Sequence, residues 1–224
     1  MPAFDVVFFD VDGTLLDART DIALAMNHAL NRLGFKSLSE ERIISYVGTG
    51  VQYLVTESLG VGNEGLVEAA TKMFGDYYLE HSADHARLYP HVSQTLERFR
   101  GKEKYILTNR YSAFADAALT RLGIRKYFKD IIGGDDEACL KPSPCVLEGF
   151  FKRTGTPADR CLVIGDMAVD VMAGKNSGMK TCWVTYGLGK RDEVEPLKPD
   201  YILEISPYAK TCERRIGKGR ITVS

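Results

Sequence analysis

The chain has 224 residues, of which 45% are hydrophobic and 26% are charged, a composition typical of a globular protein with one large domain, or a core and a small second module. Its formal net charge of −1 gives no electrostatic basis for binding nucleic acid or an anionic membrane surface. The sequence contains no run of about 18 apolar residues and no signal-peptide pattern at its start, so we expect a cytoplasmic protein without a membrane partner.

The first predicted element is a buried strand at residues 6–9, where four β-prone apolar residues follow one another. Such runs are typical of parallel sheets that are covered on both faces. Asp10 and Asp12 follow at the carboxyl end of this strand, where open α/β sheets bind ligands, and Gly13 lets the chain turn away. Two neighbouring carboxylates repel each other unless a cation or a division of acid–base roles separates them, and an Asp can also attack phosphorus directly.

The next segment, residues 16–86, is far longer than a crossover between two strands needs, and its patterns predict helices. Apolar residues recur at helical spacing over residues 20–33 and again over residues 64–81. Between them Ser39 precedes acidic residues and has the properties of an N-cap. We therefore predict an all-helical domain at residues 16–86, with a linker at each end.

From residue 87 the chain alternates between predicted helices and strands. The predicted strands are residues 104–107, 130–133, 161–164 and 180–184, and the predicted helices are residues 92–101, 112–122, 144–153 and 168–177. This alternation predicts the α/β class, with a doubly wound parallel Rossmann-like core formed by residues 1–15 and 87–224. The last twelve or so residues, which carry Arg214, Arg215, Lys218 and Arg220, are predicted to be a solvated or disordered basic tail, with an anion-binding role as the alternative.

Polar residues follow the later predicted strands as well. They are Thr108, Asn109, Arg110, Lys141, Asp166 and Asp170. Each alone has an ordinary structural explanation, since an Asp at a strand end is usually a helix cap or a turn former. Together with Asp10 and Asp12 they supply what phosphoryl transfer needs: a nucleophile, positive charge for the phosphoryl oxygens and a group that handles the leaving oxygen. Mg²⁺ is the oxygen-seeking cation that suits carboxylates beside a phosphate.

These motifs and their order resemble the four signatures of the haloacid dehalogenase-like superfamily in its phosphatase form. The matching segments are Asp10-Val11-Asp12-Gly13-Thr14, Thr108, Lys141 in a Lys-Pro-x-Pro setting, and Asp166 with Asp170 in Gly-Asp-x-x-x-Asp. The resemblance extends over residues 5–203. Dehalogenases of this superfamily lack an acid at the position of Asp12, so its presence favours phosphate-ester chemistry.

The resemblance implies a role for each of these residues. Asp10 would be the nucleophile that forms an aspartyl-phosphate, and Asp12 would be the general acid and then the general base. Thr108 and Lys141 would hold the phosphoryl oxygens, and Lys141 would also shield the carboxylates from one another. The implied Mg²⁺ ligands are Asp10, Asp12 through its backbone carbonyl, and Asp166, with Asp170 orienting this set.

The helical segment resembles the cap domain of one branch of the superfamily, and two stretches resemble its phosphoglycolate phosphatase branch. They are residues 46–50 and 87–92, although His91 stands where that branch commonly has Gly, and Arg110 where it commonly has Lys. The implied substrate is a small phosphate ester such as 2-phosphoglycolate. The predicted substrate-binding residues are Gly48, Thr49, Gly50, Thr108, Asn109 and Arg110. For residues 48–50 a plain turn between helices is the alternative.

Other functions remain open at this stage. A nucleotide monophosphate and pyrophosphate are alternative substrates. A sugar-phosphate mutase is disfavoured, because such mutases usually carry a His just after the residue that matches Asp17, and Ala18 is found here. A non-catalytic binding protein is disfavoured because no catalytic position is degraded. Arg19, Arg42 and Arg110 are candidate partners for a second anionic group of the substrate, and we expect a monomer or a homodimer.

The five cysteines are odd in number and contain no C-x-x-C pair, which predicts reduced thiols in a cytoplasmic protein. Cys139 and Cys145 bracket Lys141 in sequence, so a redox effect on this loop is an alternative.

Overall fold

The computed structural model describes residues 4–204, 213–216 and 219–222. Its strands are β1 (Val6–Phe9), β2 (Leu16–Asp17), β3 (Arg87–Leu88), β4 (Glu103–Leu107), β5 (Asp130–Ile132), β6 (Cys161–Gly165), β7 (Lys180–Val184), β8 (Tyr201–Glu204), β9 (Glu213–Ile216) and β10 (Gly219–Thr222). Its helices are α1 (Arg19–Arg32), α2 (Glu40–Ile44), α3 (Val51–Leu59), α4 (Val67–His81), α5 (Val92–Arg98), α6 (Ser112–Arg121), α7 (Cys145–Thr154), α8 (Ala168–Asn176) and α9 (Arg191–Val194). The predicted elements are confirmed with small shifts at their ends, whereas two helices and five strands were not predicted: α3, α9, β2, β3, β8, β9 and β10.

The central sheet places β1 in the middle of parallel strands in the order β8-β7-β6-β1-β4-β5. Both faces of β1 are buried, because its alternate residues enter two hydrophobic clusters on opposite faces of the sheet. Phe9 is paired with Ile106 of β4 on one side and with Ile164 of β6 on the other. The chain therefore leaves these three strands at the same edge, and the predicted doubly wound parallel sheet is confirmed.

The sheet continues beyond β8 with two antiparallel strands, since β9 pairs with β8 and β10 pairs with β9. Residues 213–216 and 219–222, which include Arg214, Arg215 and Arg220, are therefore paired strands, and the prediction of a disordered tail is wrong for them. Lys218 lies outside the described residues. An edge strand such as β8 presents unpaired backbone N–H and C=O groups, and a strand added beside it satisfies them.

Helices α1–α4 follow the first strand and are called the cap helices below. The predicted N-cap is confirmed, because the Ser39 hydroxyl accepts the backbone N–H of Arg42 at 3.2 Å at the start of α2. Helix α3 begins directly after Gly50, so residues 48–50 are the last part of the turn between α2 and α3. Within the described ranges, every helix is too short or too polar to cross a membrane.

The two linkers between the cap helices and the sheet are tied to each other. Residues 16–17 pair antiparallel with residues 87–88 as β2 and β3. Asp21, buried in the first turn of α1, accepts the backbone N–H groups of His85 at 3.0 Å and Ala86 at 2.8 Å. A buried carboxylate needs such donors. These hydrogen bonds therefore hold the start of α1 against the segment that leads from α4 back to the sheet. No sequence motif had indicated this role for Asp21.

Candidate active site

Strands β1, β4 and β6 lie side by side, so the residues that follow them meet at one edge of the sheet. Asp10 follows β1, Thr108 follows β4 and Asp166 follows β6. A cavity lies between this edge and the cap helices. The predicted site residues that line it are Asp10, Asp12, Gly48, Gly50, Thr108, Asn109, Arg110, Lys141 and Asp170.

Lys141 lies between two of the carboxylates that line this cavity. Its ammonium group donates to Asp10 Oδ1 at 2.7 Å, to Asp170 Oδ1 at 2.6 Å and to the Leu107 carbonyl at 3.0 Å. All three of its N–H bonds therefore have acceptors. Burial alone would lower the pKa of Lys141, but the two carboxylates outweigh burial and hold that pKa above its usual value. Lys141 is thus a buried cation between two carboxylates that would otherwise repel each other.

Asn109 fixes the backbone that carries this lysine. Its Oδ1 accepts the backbone N–H of Lys141 at 2.7 Å, and its Nδ2 donates to the Lys141 carbonyl at 2.9 Å. The same Nδ2 donates to the Gly48 carbonyl at 2.8 Å, in the turn between α2 and α3. Asn109 therefore positions the Lys141 loop and joins it to the cap helices. The sequence analysis had predicted only a contact with substrate for this residue.

Asp10, Asp166 and Asp170 form a cluster of buried carboxylates whose ligand oxygens all lie within 4.8 Å of one another. Burial raises the pKa of Asp10 well above its usual value, the charge of Lys141 opposes that shift, and the neighbouring carboxylates add to it. Oxygen donors at this spacing are the ligands that hard divalent cations prefer. The cluster therefore fits the divalent metal expected from the sequence.

Asp166 is held by donors at both of its oxygens. Oδ1 accepts the Thr14 hydroxyl at 2.8 Å, and Oδ2 accepts the backbone N–H groups of Leu188 at 2.6 Å and Gly189 at 3.2 Å. Burial, helped by a neighbouring carboxylate, raises the pKa of Asp166 to about 7 although these hydrogen bonds lower it. Gly13 has a φ of +86°, and a Cβ there would lie 2.2 Å from Asp166 Oδ2. The first motif therefore needs glycine for both its turn and its contact with Asp166, and Thr14 has a role that the sequence analysis did not assign.

A second buried ion pair also lines the cavity. The guanidinium group of Arg110 donates to Asp12 Oδ1 and to the hydroxyl of Tyr78, and its central carbon lies 4.8 Å from the centre of the Tyr78 ring. Burial opposes the charge of Arg110, but Asp12 and Tyr78 outweigh burial and raise its pKa. Burial also raises the pKa of Tyr78 to about 12, which keeps its hydroxyl neutral. The sequence analysis missed Tyr78, because it belongs to the ordinary apolar pattern of α4.

The rest of the cavity lining is apolar, and its side chains are Ile22, Val47, Val51, Leu54, Phe74, Phe114, Met167 and Val169. The structure does not bring Thr49 to the cavity, because its side chain is exposed on the turn. Arg19 is paired with Asp17 at 2.6 Å, and Arg42 lies 5.1 Å from the Tyr46 ring centre. Of the three candidate arginines, Arg110 alone lines the cavity.

The prediction of reduced thiols is wrong for two cysteines, because Cys139 and Cys145 are joined by a disulfide bond. The turn between them brings their Cα atoms to 5.7 Å, within the usual range of roughly 4.4–6.8 Å. Cys161 and Cys182 are buried thiols, and Cys212 lies outside the described residues. The disulfide closes the loop that contains Lys141.

Comparisons of the sequence with known proteins agree with this geometry. A model of the family described as haloacid dehalogenase-like hydrolase matches residues 7–184. A protein of Vibrio parahaemolyticus named phosphoglycolate phosphatase is 33% identical over 208 residues, which cover 89% of this chain and 91% of that protein. A protein of Aquifex aeolicus with the same name is 31% identical over 193 residues, which cover 85% and 89%.

Solved structures show the same fold. The crystal structure of a predicted phosphoglycolate phosphatase from Haemophilus somnus matches with a TM-score of 0.79 at 29% identity, and covers 89% of this chain and 93% of that chain. A haloacid dehalogenase-like family hydrolase from Streptococcus pneumoniae matches with a TM-score of 0.80 at 24% identity, and covers 92% and 96%.

Proposed function

Because the chain belongs to the haloacid dehalogenase-like hydrolases and is a phosphatase of that family, we propose that it hydrolyses 2-phosphoglycolate or a similarly small phosphate monoester. In this proposal residues 1–15 and 87–224 form the catalytic core, and residues 16–86 form the cap domain. The observation that carries it is that two buried ion pairs line one cavity, Asp10 with Lys141 and Asp12 with Arg110.

In the first proposed step a carboxylate oxygen of Asp10 attacks phosphorus, and the bond between phosphorus and the ester oxygen breaks. Asp12 donates a proton to the departing oxygen. The product is an aspartyl-phosphate on Asp10 and the free alcohol, which for 2-phosphoglycolate is glycolate. Asp12 suits this role because it lies two residues beyond the nucleophile and lines the same cavity.

In the second proposed step water attacks the phosphorus of the aspartyl-phosphate while Asp12 takes up its proton. The bond between phosphorus and Asp10 breaks, which releases inorganic phosphate and restores the carboxylate. Asp12 is left protonated for the next cycle. The two steps therefore balance with one carboxyl group that alternates between acid and base.

Thr108 and Lys141 are proposed to hold the phosphoryl oxygens. The Thr108 oxygen accepts the backbone N–H of Arg110 at 3.2 Å, so its own O–H can donate to the substrate. Lys141 needs to turn one N–H from a present acceptor toward the phosphoryl group. Both residues are buried, where hydrogen bonds to a charged group are strong.

The proposed metal is Mg²⁺, held by Asp10, the backbone carbonyl of Asp12, and Asp166, with Asp170 orienting the set. When bound, the cation supplies positive charge beside the phosphoryl oxygens. Asp170 can orient its neighbours because its Oδ1 is fixed by Lys141 and its Oδ2 accepts the backbone N–H of Met167 at 2.9 Å.

The choice of 2-phosphoglycolate rests on the end of the cavity where the leaving group would lie. Arg110 supplies a buried cation there, and the surrounding walls are apolar. Such a site suits a short leaving group with one carboxylate, because Arg binds carboxylates in a bidentate fork. A nucleoside is larger and carries several polar groups that the apolar walls would leave unpaired.

The test is a comparison of kcat/KM for 2-phosphoglycolate, nucleotide monophosphates and pyrophosphate in the presence of Mg²⁺. We expect 2-phosphoglycolate to lead by at least about tenfold, which corresponds to ~1.4 kcal/mol of transition-state preference. An equal preference for a nucleotide or for pyrophosphate would overturn the substrate assignment and leave the phosphatase assignment in place.

A further inference from the structure

We propose that Arg110 and Tyr78, called the Arg110–Tyr78 pair below, select phosphate esters whose leaving group carries a carboxylate close to the ester oxygen. In this structure Arg110 holds Asp12. The substrate carboxylate replaces Asp12 as the acceptor of the guanidinium N–H groups. The Asp12 side chain is then free to turn toward the ester oxygen. This inference rests on the proposed function, because it uses Asp12 as the acid and base.

The first step of the argument is that Arg110 is a buried cation with a single carboxylate bonded to its guanidinium group. The side chains of Arg110 and Asp12 are 7% and 12% exposed. Buried charge-assisted hydrogen bonds of this kind are strong, and a second carboxylate that enters the cavity competes for the same group. The substrate carboxylate is therefore attracted to Arg110 and must displace Asp12 to bind there.

The second step is that both terminal nitrogens of Arg110 already donate. Nη1 donates to the Tyr78 hydroxyl and Nη2 donates to Asp12, and the Tyr78 ring centre lies 4.8 Å from the guanidinium carbon. A substrate carboxylate that binds across these two nitrogens in the bidentate geometry must displace Asp12 from Nη2. The substrate carboxylate therefore replaces that of Asp12 at Arg110.

The third step concerns length. Asp12 reaches Arg110 directly, and it lies two residues from the proposed nucleophile Asp10. The carboxylate that replaces Asp12 must therefore be separated from the ester oxygen by only a few bonds. The chemical class that meets this condition is the phosphate esters of short hydroxy acids. A neutral leaving group of the same size leaves Arg110 bonded to Asp12.

The fourth step assigns Tyr78 as a positioning residue. Its hydroxyl accepts an N–H of Arg110, and its ring packs against Phe74 and Phe114 with ring centres 5.8 Å and 5.5 Å away. Tyr78 comes from α4 of the cap helices, whereas Arg110 follows strand β4 of the sheet. The selecting group is therefore aligned only when the cap helix and the sheet are together.

The experiment compares two esters of similar size, 2-phosphoglycolate and ethyl phosphate, which lacks the carboxylate. The variants are Tyr78→Phe, which keeps the ring but removes the acceptor, and Arg110→Gln. Arg110→Lys is the second arginine variant, because it keeps the charge if Arg110→Gln does not fold. The matched control is Tyr77→Phe, because Tyr77 is the neighbouring tyrosine on α4 and contacts His28 and His81 instead of the cavity.

We expect the wild type to prefer 2-phosphoglycolate over ethyl phosphate by about a hundredfold in kcat/KM. Tyr78→Phe should lower kcat/KM by about tenfold for 2-phosphoglycolate and by less than about twofold for ethyl phosphate, so that the preference falls. Arg110→Gln should bring the two esters to within about threefold of each other, with turnover of ethyl phosphate raised because Asp12 is no longer held. Arg110→Lys should keep part of the preference, since it retains the charge but loses the fork.

Equal losses for both esters in Tyr78→Phe and in the folded arginine variants would overturn the inference, because a merely structural role lowers both together. A wild type that hydrolyses the two esters equally would also overturn it and leave the phosphatase assignment intact. If the wild type hydrolyses a generic aryl phosphate with Mg²⁺ but not 2-phosphoglycolate, the proposed substrate is wrong and the inference is overturned with it.

Discussion

The site has two groups of residues that are built differently, named after their proposed roles: the phosphoryl end (Asp10, Lys141, Asp166 and Asp170) and the leaving-group end (Asp12, Arg110 and Tyr78). At the phosphoryl end, Asp10, Lys141 and Asp166 come from loops that follow strands of the sheet and Asp170 from the first turn of α8. The side chains of Lys141 and Asp166 each have three hydrogen bonds. At the leaving-group end, Arg110 comes from the sheet, but its aromatic partner and much of the apolar wall come from the cap helices. The first end is fixed within one part of the fold, whereas the second is completed by contact between two parts.

Because the two ends are built differently, we expect substitutions at them to have different effects on the hydrolysis of phosphate esters. A change at the phosphoryl end should affect every phosphate ester alike, because all esters share the transferred group. A change at the leaving-group end should alter the ratio between esters. The predictions below test this separation, beginning with the largest expected effect.

Asp10→Asn should reduce kcat below about a hundredth of the wild-type value for every ester, a loss of more than ~2.7 kcal/mol, because the amide cannot form the phosphorylated intermediate. The amide has the same shape as the carboxyl group, so the variant should fold. Steady-state kinetics with 2-phosphoglycolate and an aryl phosphate, together with a thermal melt, provide the measurement. Retention of more than a hundredth of kcat would contradict the covalent role of Asp10.

The phosphoryl end could be predicted from sequence because its residues are local signals on adjacent strands. A buried run such as residues 6–9 predicts a central strand, and the residue after it must then lie at the edge where parallel strands end. Asp10, Thr108 and Asp166 follow this rule. These residues lie close together because the strands that precede them, β1, β4 and β6, are neighbours in the sheet.

The leaving-group end could not be predicted in the same way. Tyr78 lies four residues after Phe74 on α4, and that spacing indicates only a buried helical face. Its contact with Arg110 depends on how the cap helix lies against the sheet, which no local pattern encodes. The disulfide between Cys139 and Cys145 was missed for a related reason, because the turn between them determines whether their Cα atoms approach.

Mg²⁺ should stabilise the phosphoryl end, and the stabilisation should grow with pH. The folded-state pKa of Asp166, about 7, lies above its usual value, which is about 3.9. The protonated carboxyl therefore stabilises the metal-free fold fully below about pH 4, and that contribution is lost as the pH rises through about 7. The pKa of Asp10 is shifted in the same direction.

The measurement is the Tm of EDTA-treated protein with and without Mg²⁺ at about pH 5 and about pH 8. At a hundredfold excess over Kd we expect a gain of about 2.7 kcal/mol in the free energy of unfolding, with a larger Tm increase at the higher pH because fewer protons must be displaced. Ca²⁺ should also raise Tm but support little activity, because its coordination shell is larger and looser. Full activity in EDTA would contradict the metal assignment.

Reduction of the disulfide should lower the free energy of unfolding by about 2 kcal/mol, because the bond constrains the unfolded chain over residues 139–145. The loop belongs to the phosphoryl end, so any change in activity should be equal for 2-phosphoglycolate and ethyl phosphate. Denaturant melts with and without dithiothreitol measure the effect. The double variant Cys139→Ser/Cys145→Ser is the control and should not respond to the reductant. An altered ratio between the two esters would contradict the separation of the two ends.

The smallest expected effect concerns the turn that joins the two ends. Gly48 has a φ of +110°, its carbonyl accepts Asn109 Nδ2, and a Cβ there would lie 2.6 Å from Met167 Sδ. Gly48→Ala therefore strains the backbone and pushes a side chain that lines the cavity. Because Asn109 also holds Lys141, we expect kcat/KM to fall by about tenfold, or ~1.4 kcal/mol, for both esters alike.

Gly60→Ala is the matched control for this prediction. Gly60 has a φ of +78°, so alanine meets a comparable backbone cost, but no atom lies within 4 Å of the added Cβ. This variant should lose about 1–3 kcal/mol of stability with kinetics unchanged, since Gly60 has a ψ of 167° and a residue other than glycine in this conformation costs that much. If Gly48→Ala has no more effect on kinetics than Gly60→Ala, the turn does not connect the two ends. If it changes the preference between 2-phosphoglycolate and ethyl phosphate, the turn belongs to the leaving-group end, because the phosphoryl end cannot distinguish the two esters.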